Sequence, residues 1–412
     1  MTTFFAELGQ SIQERWLKAR CAEEAFPEVC AAVLAERPPS DVLSLDDVIT
    51  WSLGCIRLPR QLNAKSDFGE PPLTVFSEAR FYIAVLVWLD GTTAIHEHSF
   101  SGAFHVLHGG SLHTTFDFRP TEVVNEFMQV GQLREKRVER LKKGDTREIR
   151  PGGGTIHQLF HLERPSATIV IRTFSANIRR PQYSYFRPGI AAHPLYDFDE
   201  QKVRRDLLRL VARTSPDQLV ERCLRWLDVA DPVGAFLGVQ YCAALVPPEQ
   251  CDDLLARVEE RHPAVSSRVR PVVENIRREK FIVDRRASVT DPELRFFLAV
   301  LLNIEGRERA LQVIAERFPQ QDPVDLVVRW VGMLGKLPSP DPTAASALGF
   351  RMDRVVGVTL RTLLRGAPPD EAIPAVSAVA KRTVSDEEGR HVLDLCDALR
   401  KSEMFRSILA PA

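Results

Sequence analysis

The sequence predicts a multidomain α+β protein in which a β-barrel lies between a helical N-terminal arm and an all-α C-terminal domain. Two observations support this fold class. The chain has 412 residues, enough for two or three domains of about 100 to 200 residues each. The spacing of its apolar residues also changes twice, from a helical period to short strands and back. We therefore predict an arm at residues 1–51, a barrel at 52–186 and a helical domain at 187–412.

The N-terminal arm is predicted to contain at least two helices. Apolar side chains recur at helical spacing over residues 3–36. A second helix fits "LSLDDVITWSLG". Ser44 can cap the start of that helix, and Asp46 and Asp47 lie in its first turn, where negative charge is favourable.

The barrel prediction comes from short runs rich in Val, Ile, Phe and Thr over residues 57–180, such as "ARFYIAVLVWL" and "SATIVIRTF". Glycine and proline separate these runs, a pattern typical of an all-β sandwich or barrel. Five of the ten histidines of the chain lie within "TAIHEHSFSGAFHVLHGGSLHTTFDF". A histidine-based site is therefore expected in the barrel.

The C-terminal domain is marked by helix starts. Ser215, Pro216 and Gln218 predict one capped start, and Ser385 with Glu388 predicts another. The segment "KLPSPDPTAAS" is the best candidate for a loop or hinge. No residue in this domain carries an identifiable chemistry, so a homodimer surface and a lid over the barrel are both open as its role.

Composition excludes several classes of function. Lys and Arg total 54 and Asp and Glu total 55, so no general field attracts nucleic acid or an anionic membrane. No apolar run approaches the roughly 20 residues that span a bilayer, and the N-terminus does not resemble an export signal. Seven scattered cysteines without a CxxC pair disfavour structural zinc and disulfides. We predict a cytoplasmic protein without nucleic-acid or membrane partners.

Two histidines form the first part of a candidate metal site. On an extended strand, His96 and His98 point to the same face while Glu97 points to the other. Such a pair, taken alone, leaves a metal site and an ordinary polar sheet surface both open. A second segment, "GDTREIRPGGGTIHQLFHL", places His157 and His161 on one strand face and can supply a third imidazole. Imidazole suits iron, zinc, copper and nickel, so spacing does not choose the metal.

These two segments resemble the two motifs of the cupin superfamily, which implies a jelly-roll β-barrel. The first motif, G-x5-HxH-x3,4-E-x6-G, matches at Gly91, His96, His98 and Gly109, with one residue fewer after the opening glycine. The second, G-x5-PxG-x2-H-x3-N, matches at Gly144, Pro151, Gly153 and His157, with small changes of spacing. No carboxylate stands at Gly102 or Ala103, where the motif has its glutamate ligand, and His161 stands in place of the final asparagine.

The missing glutamate narrows the resemblance. Residues 84–174 resemble the thiol dioxygenases of the cysteine dioxygenase type, which bind iron(II) through three histidines and no carboxylate. The resemblance implies Fe(II) as the cofactor, with His96, His98 and His157 as its ligands. It also implies that Arg60 lies where these enzymes keep their substrate arginine.

The chain also departs from that family. The cysteine and tyrosine that form a crosslink in the mammalian-type enzymes correspond here to Ala103 and Phe174, so no crosslink can form. The serine and histidine that hydrogen-bond toward that tyrosine correspond to Val170 and Arg172. A cysteine substrate is therefore not implied, whereas the three histidines are unaffected.

Two further side chains are candidates for the site. His161 could be a hydrogen-bond donor behind the ligands, a fourth ligand or part of a second metal site. Arg172 is a candidate carboxylate clamp if it points inward, because guanidinium binds carboxylates bidentately. The alternative is that Arg172 points to solvent or pairs with Glu163.

The remaining histidines and aromatic residues are assigned lesser roles. His105 has the parity of Ala103 and is predicted to line the barrel, whereas His108 and His113 are predicted at the surface. Tyr82, Tyr183 and Tyr185 are expected to be packed aromatic residues that could also offer a phenol to the pocket. "QLREKRVERLKK" is predicted to be a solvated connection between barrel strands.

The predicted function is an iron(II)-dependent oxygenase or dioxygenase. Its substrates would be O2 and a small thiol or amino-acid-like molecule that coordinates the metal. His161, Arg172 and Arg60 are the predicted catalytic residues. The alternative is a non-catalytic cupin that binds a metal or small ligand and uses its helical domain to bind a protein partner.

Overall fold

The computed structural model describes residues 1–62, 68–174, 182–338, 346, 348 and 350–409. The chain divides into two compact units, Met1–Ile276 and Arg277–Ala412. The first unit contains the arm, the β-structure and the first helices that follow it. The candidate hinge "KLPSPDPTAAS" lies mostly outside the described residues.

The N-terminal arm is helical, as predicted. Its helices are α1 (Thr2–Lys18), α2 (Phe26–Glu36), α3 (Pro39–Val42) and α4 (Leu45–Gly54). Ser44 caps α4 in a capping box with Asp47. Phe5 and Phe26 pack against Phe81 of the following sheet in one buried core. The arm therefore covers one face of the β-structure.

The β-structure contains two sheets. Its strands are β1 (Pro72–Ser77), β2 (Phe81–Trp88), β3 (Ile95–His98), β4 (Gly102–His108), β5 (Gly110–Asn125), β6 (Met128–Lys142), β7 (Thr146–Ile149), β8 (Gly152–His161), β9 (Ser166–Thr173), β10 (Ser184–Phe186) and β11 (Ile190–Ala192). One sheet has the order β1-β2-β9-β4-β7, and the other closes as β10-β11-β6-β5-β8-β3. All the strand pairs among the described residues are antiparallel. The predicted β-barrel is present.

Strand β4 shows how side chains divide between the faces. Phe104 and Val106 join Val170 and Leu159 in a core between the two sheets. Ala103 belongs instead to the core beneath the arm helices. Alternation along the strand produces this division, because successive side chains point to opposite faces.

The prediction that His105 lines the barrel is wrong. His105 does share the parity of Ala103, but that face lies under the arm. Its Nε2 accepts a hydrogen bond from the Ser40 N–H at 3.4 Å, and its Nδ1 lies 2.8 Å from Thr146 Oγ1. His105 therefore connects the arm to the outer face of the sheet.

Gly102 occupies a position on β4 that has no room for a side chain. A Cβ built there would overlap the backbone carbonyl oxygen of Ile171 on β9. We expect Gly102→Ala to lower the free energy of unfolding by about 1–3 kcal/mol, because the two strands must move apart. Urea unfolding measures this loss. Gly153→Ala is the control, since a Cβ there meets no atom within 4 Å, and an equal loss in both variants would contradict the explanation.

Five helices follow the strands. They are α5 (Phe198–Thr214), α6 (Leu219–Val229), α7 (Pro232–Leu245), α8 (Cys251–Arg261) and α9 (Pro263–Arg286). Val130 and Ile190 of the β-structure share a core with Phe236 and Val239 of α7. Helical residues as far as Ile276 thus belong to the same unit as the strands. The structural division falls later than the predicted limit at residue 186.

The predicted cap at Ser215 is wrong. Its side chain makes no capping hydrogen bond, and residues 216–218 form a single 3-10 turn before α6 begins at Leu219. The second predicted cap is present, because Ser385 and Glu388 form a capping box at the start of a later helix.

The second unit is built from helices over its described residues. They are the end of α9, from Arg277 to Arg286, and α10 (Pro292–Asn303), α11 (Arg307–Arg317), α12 (Pro323–Leu334), α13 (Arg354–Leu364), α14 (Ala372–Ala380), α15 (Asp386–Lys401) and α16 (Arg406–Leu409). Buried Phe296, Phe297 and Trp330 form an aromatic cluster in this unit. Within the described part of the chain, no helix combines the length and apolarity needed to cross a bilayer.

Candidate metal centre

Three histidines converge between the two sheets. Strands β3 and β8 are antiparallel neighbours, and His96 lies opposite His157 in their register. One ring nitrogen from each of His96, His98 and His157 lies within 4.8 Å of the others. His98 Nε2 is 2.9 Å from His157 Nε2. The structure thus brings together the three side chains that the sequence proposes as ligands.

All three imidazoles are buried. Burial lowers the pKa of His96 to about 4, although a hydrogen bond to the Ala94 carbonyl opposes this shift. Burial also lowers the pKa values of His98 and His157 well below the usual value. The three rings are therefore neutral at pH 7, and neutral imidazole is the form that binds metals.

One hydrogen bond shows which ring nitrogen of His96 carries the proton. Its Nδ1 lies 2.8 Å from the Ala94 carbonyl oxygen, and a carbonyl can only accept, so Nδ1 carries the proton. Nε2 then has a lone pair. This nitrogen is buried without a hydrogen-bond partner among the described residues. A bound cation would satisfy such a nitrogen, since buried polar atoms rarely lack a partner.

The donor set fits a transition metal. Two imidazole nitrogens at about 2.1 Å from a metal and at right angles to each other lie about 3 Å apart, close to the 2.9 Å between His98 and His157. The cluster contains no carboxylate and no thiolate among the described residues. Three neutral nitrogens suit iron, zinc, copper or nickel better than calcium or magnesium.

Arg172 points into the space beside the cluster. Its guanidinium carbon lies 3.6 Å from the centre of the Phe100 ring and 5.5 Å from that of Tyr82. The Phe100 ring in turn lies 4.6 Å from the His98 ring. Burial lowers the pKa of Arg172. The pKa of His98 is lowered mainly by burial, then by His96, and least by the nearby charge of Arg172. Of the two orientations considered from sequence, the structure has the inward one.

His161 lies apart from the three histidines. It is buried on the same strand as His157, but four residues of strand span about 13 Å. Its ring stacks on Trp88 with centroids 4.8 Å apart, and its Nδ1 lies 2.8 Å from Ser166 Oγ. The structure does not bring His161 into the cluster.

Arg60 makes no described contact with the histidine cluster. It is exposed, it precedes the undescribed residues 63–67, and no hydrogen bond or ion pair joins it to a described residue. Phe68, just after that gap, packs its ring 5.2 Å from the ring of His96.

The prediction that His113 lies at the surface is wrong, whereas His108 is exposed as expected. His113 is buried, and its Nε2 lies 3.0 Å from His157 Nδ1. Its Nδ1 lies 3.0 Å from Glu139 Oε1. Glu139 belongs to the segment predicted as a solvated connection, which is instead part of strand β6.

Glu97 points away from the cluster, as the alternation predicts. Its Oε2 accepts a hydrogen bond from the Tyr185 hydroxyl at 2.6 Å, and its Oε1 accepts one from the Tyr183 N–H at 3.2 Å. Burial raises the pKa of Glu97, with both hydrogen bonds opposing the shift. Tyr185 therefore lies on the face of β3 that points away from the histidine cluster. Tyr82 lies beside Arg172.

The chain was compared with protein families, curated proteins and solved structures. No protein-family model matches the chain, and no curated protein matches it. A hydroquinone 1,2-dioxygenase from Sphingomonas sp. TTNP3 has 14% identity and a TM-score of 0.21 over 27% of this chain and 71% of its own. A cupin-2 domain protein from Shewanella frigidimarina has 13% identity and a TM-score of 0.20 over 33% and 97%. A DMSP lyase from Ruegeria pomeroyi has 15% identity and a TM-score of 0.22 over 38% and 75%.

Proposed function

We propose that the protein is a non-haem iron(II)-dependent oxygenase that acts on a small, metal-coordinated substrate. The observation that carries the proposal is the group of three buried, neutral histidines with no carboxylate among them. His96, His98 and His157 would hold the metal. The resemblance of residues 84–174 to the thiol dioxygenases favours iron over the other metals that imidazole binds.

Iron(II) bound by three histidines would supply the redox chemistry with oxygen and open positions for a coordinated substrate. The chain's own residues provide the surroundings. Phe104 lies 6.0 Å from the His157 ring, and Phe68 and Phe100 contact His96 and His98. These aromatic rings would form apolar walls around a bound substrate.

Arg172 would orient the substrate. Its guanidinium is a cation held against aromatic rings, and its Nε is buried without a hydrogen-bond partner among the described residues. A carboxylate would satisfy this group with two parallel hydrogen bonds. The substrate we propose therefore carries a carboxylate and a metal-binding thiol or amine. In this proposal Arg172 takes the role that the resemblance implied for Arg60, and His161 supports the wall around Trp88.

Metal analysis combined with oxygen uptake tests the proposal. We expect the anaerobically reconstituted protein to hold about one iron per chain and to consume oxygen with at least one small thiol or amino carboxylate. Failure to bind iron would refute the proposal. Iron binding without oxygen uptake from any thiol or amine would support the alternative, a non-catalytic metal-binding protein.

A further inference from the structure

A chain of hydrogen bonds leads away from His157 on the side opposite the metal position. His157 Nδ1 lies 3.0 Å from His113 Nε2, and His113 Nδ1 lies 3.0 Å from Glu139 Oε1. Arg147 donates to both carboxylate oxygens of Glu139, at 2.9 Å from Nε and 2.6 Å from Nη2. Arg137 adds a second cation, 2.9 Å from Glu139 Oε2. The proposed oxygenase function does not itself use these groups.

The strands place these side chains in line. On β5, His113 lies directly opposite Glu139 of β6. On the other side of β5, Thr115 lies opposite His157 of β8. His113 is two residues before Thr115 on β5, so its side chain points to the same face of the sheet as that of His157. Arg147 comes from β7 of the other sheet. The hydrogen bonds therefore run across three neighbouring strands and then join the two sheets.

Arg147 and His113 keep the Glu139 carboxylate ionised. Burial disfavours the ionised carboxylate, but hydrogen bonds from Arg147 and His113 outweigh burial and hold the pKa of Glu139 well below its usual range. An ionised carboxylate has no proton to give. His113 must therefore donate its Nδ1 proton to Glu139.

The direction of the remaining bonds follows from that first step. The tautomer of His113 with its proton on Nδ1 has a lone pair on Nε2. It accepts a hydrogen bond from His157, so the proton of His157 lies on Nδ1. The lone pair of His157 Nε2 then points toward His98 and the metal position.

We propose that Arg147, Glu139 and His113 act as positioning residues that fix His157 in the tautomer and ring orientation required of a metal ligand. Partners of this kind behind a ligand histidine typically contribute 10–100-fold to metal affinity. The inference rests on the proposed function only in requiring a metal at the three histidines. It does not require oxygenase activity.

Three variants test these positioning residues by metal affinity. We expect Glu139→Gln to weaken Co(II) binding by about 10–100-fold, measured by competition with a chelator. His113→Phe should weaken it similarly, because a phenyl ring keeps the packing and loses the acceptor. His113→Gln should instead keep most of the wild-type affinity, since its amide oxygen can accept the hydrogen bond from His157 Nδ1. A purely structural role for His113 would not separate the Phe and Gln variants.

Glu148→Gln is the matched control. Glu148 lies on the same strand as Arg147 but on the opposite face, and it accepts a hydrogen bond from Arg150 at 2.7 Å. Its loss removes a carboxylate–arginine contact of the same sheet without touching His113, so Co(II) affinity should stay at the wild-type value. If Glu139→Gln fails to fold, the comparison of His113→Phe with His113→Gln still decides the question.

The tautomer can also be measured without any metal. In histidine-selectively 15N-labelled, metal-free protein, we expect the long-range 1H–15N pattern of His157 to show protonation at Nδ1. A pattern showing protonation at Nε2, or wild-type Co(II) affinity in both Glu139→Gln and His113→Phe, would overturn the proposal. Co(II) binding that depends on Glu139 and His113, together with no oxygen uptake by the iron-loaded protein, would refute the oxygenase function alone.

Discussion

His157→Ala is expected to abolish stoichiometric metal binding, whereas His161→Ala retains it. His157 provides the nitrogen nearest to His98, at 2.9 Å, and lies opposite His96 on the neighbouring strand. Its removal leaves two nitrogens and also leaves His113 Nε2 without its partner. Since the loss of a group behind a ligand typically costs 10–100-fold in affinity, loss of the ligand should cost more. His161 stacks on Trp88 outside the cluster, so its loss removes no ligand.

The measurement is iron per chain after anaerobic reconstitution and desalting, with circular dichroism as a check on folding. His105→Ala is the matched control, because His105 is a fully buried histidine of the same domain on the outer face of β4. It should hold as much iron as the wild type. Equal loss of iron in His157→Ala and His161→Ala would show that His161 is itself a ligand.

The sequence predicts which residues of a strand share a face. It does not predict which of the two faces points into the barrel. Alternation placed His96 and His98 together and Glu97 opposite, and the structure has this arrangement. The same rule grouped His105 with Ala103, but both lie beneath the arm. Parity relates positions to one another, and only the packing of the N-terminal helices decides which face is outside.

His113 and Glu139 were missed for a related reason. Both lie on the long hairpin of β5 and β6, and their contact depends on the register of that pair. The charged run around Glu139 resembles a solvated segment, because most of its residues do face solvent. The run does contain the apolar residues Val138 and Leu141, but their spacing of three residues does not follow the alternation of a strand.

The helices illustrate a different limit. Apolar spacing predicted that residues after 197 are helical, but a helical period does not say which core a helix joins. Phe236 and Val239 pack with Val130 and Ile190 of the β-structure. The first C-terminal helices therefore support the strands that hold the site, and the sequence alone could not distinguish this from a separate domain.

Arg172→Met is expected to remove the preference for carboxylate ligands while leaving the metal in place. The guanidinium lies against Phe100, which contacts His98, but it is not part of the histidine cluster. A charged hydrogen bond contributes about 1.5–3 kcal/mol, and each 1.4 kcal/mol is about tenfold in affinity. Loss of the fork should therefore weaken a bound carboxylate by about 10–100-fold or more.

Binding of 3-mercaptopropionate and of neutral 3-mercapto-1-propanol to the Co(II) protein, followed by visible absorption, separates the two contributions. The wild type should favour the carboxylate, and Arg172→Met should bind both thiols about equally. The carboxylate preference of Arg172→Lys should lie between those of the wild type and Arg172→Met, since an ammonium keeps the charge but loses the planar fork. An unchanged preference in Arg172→Met would refute the clamp, and its loss in Arg60→Met instead would assign that role to Arg60. Because both thiols offer the same metal ligand, only the carboxylate contact distinguishes these outcomes.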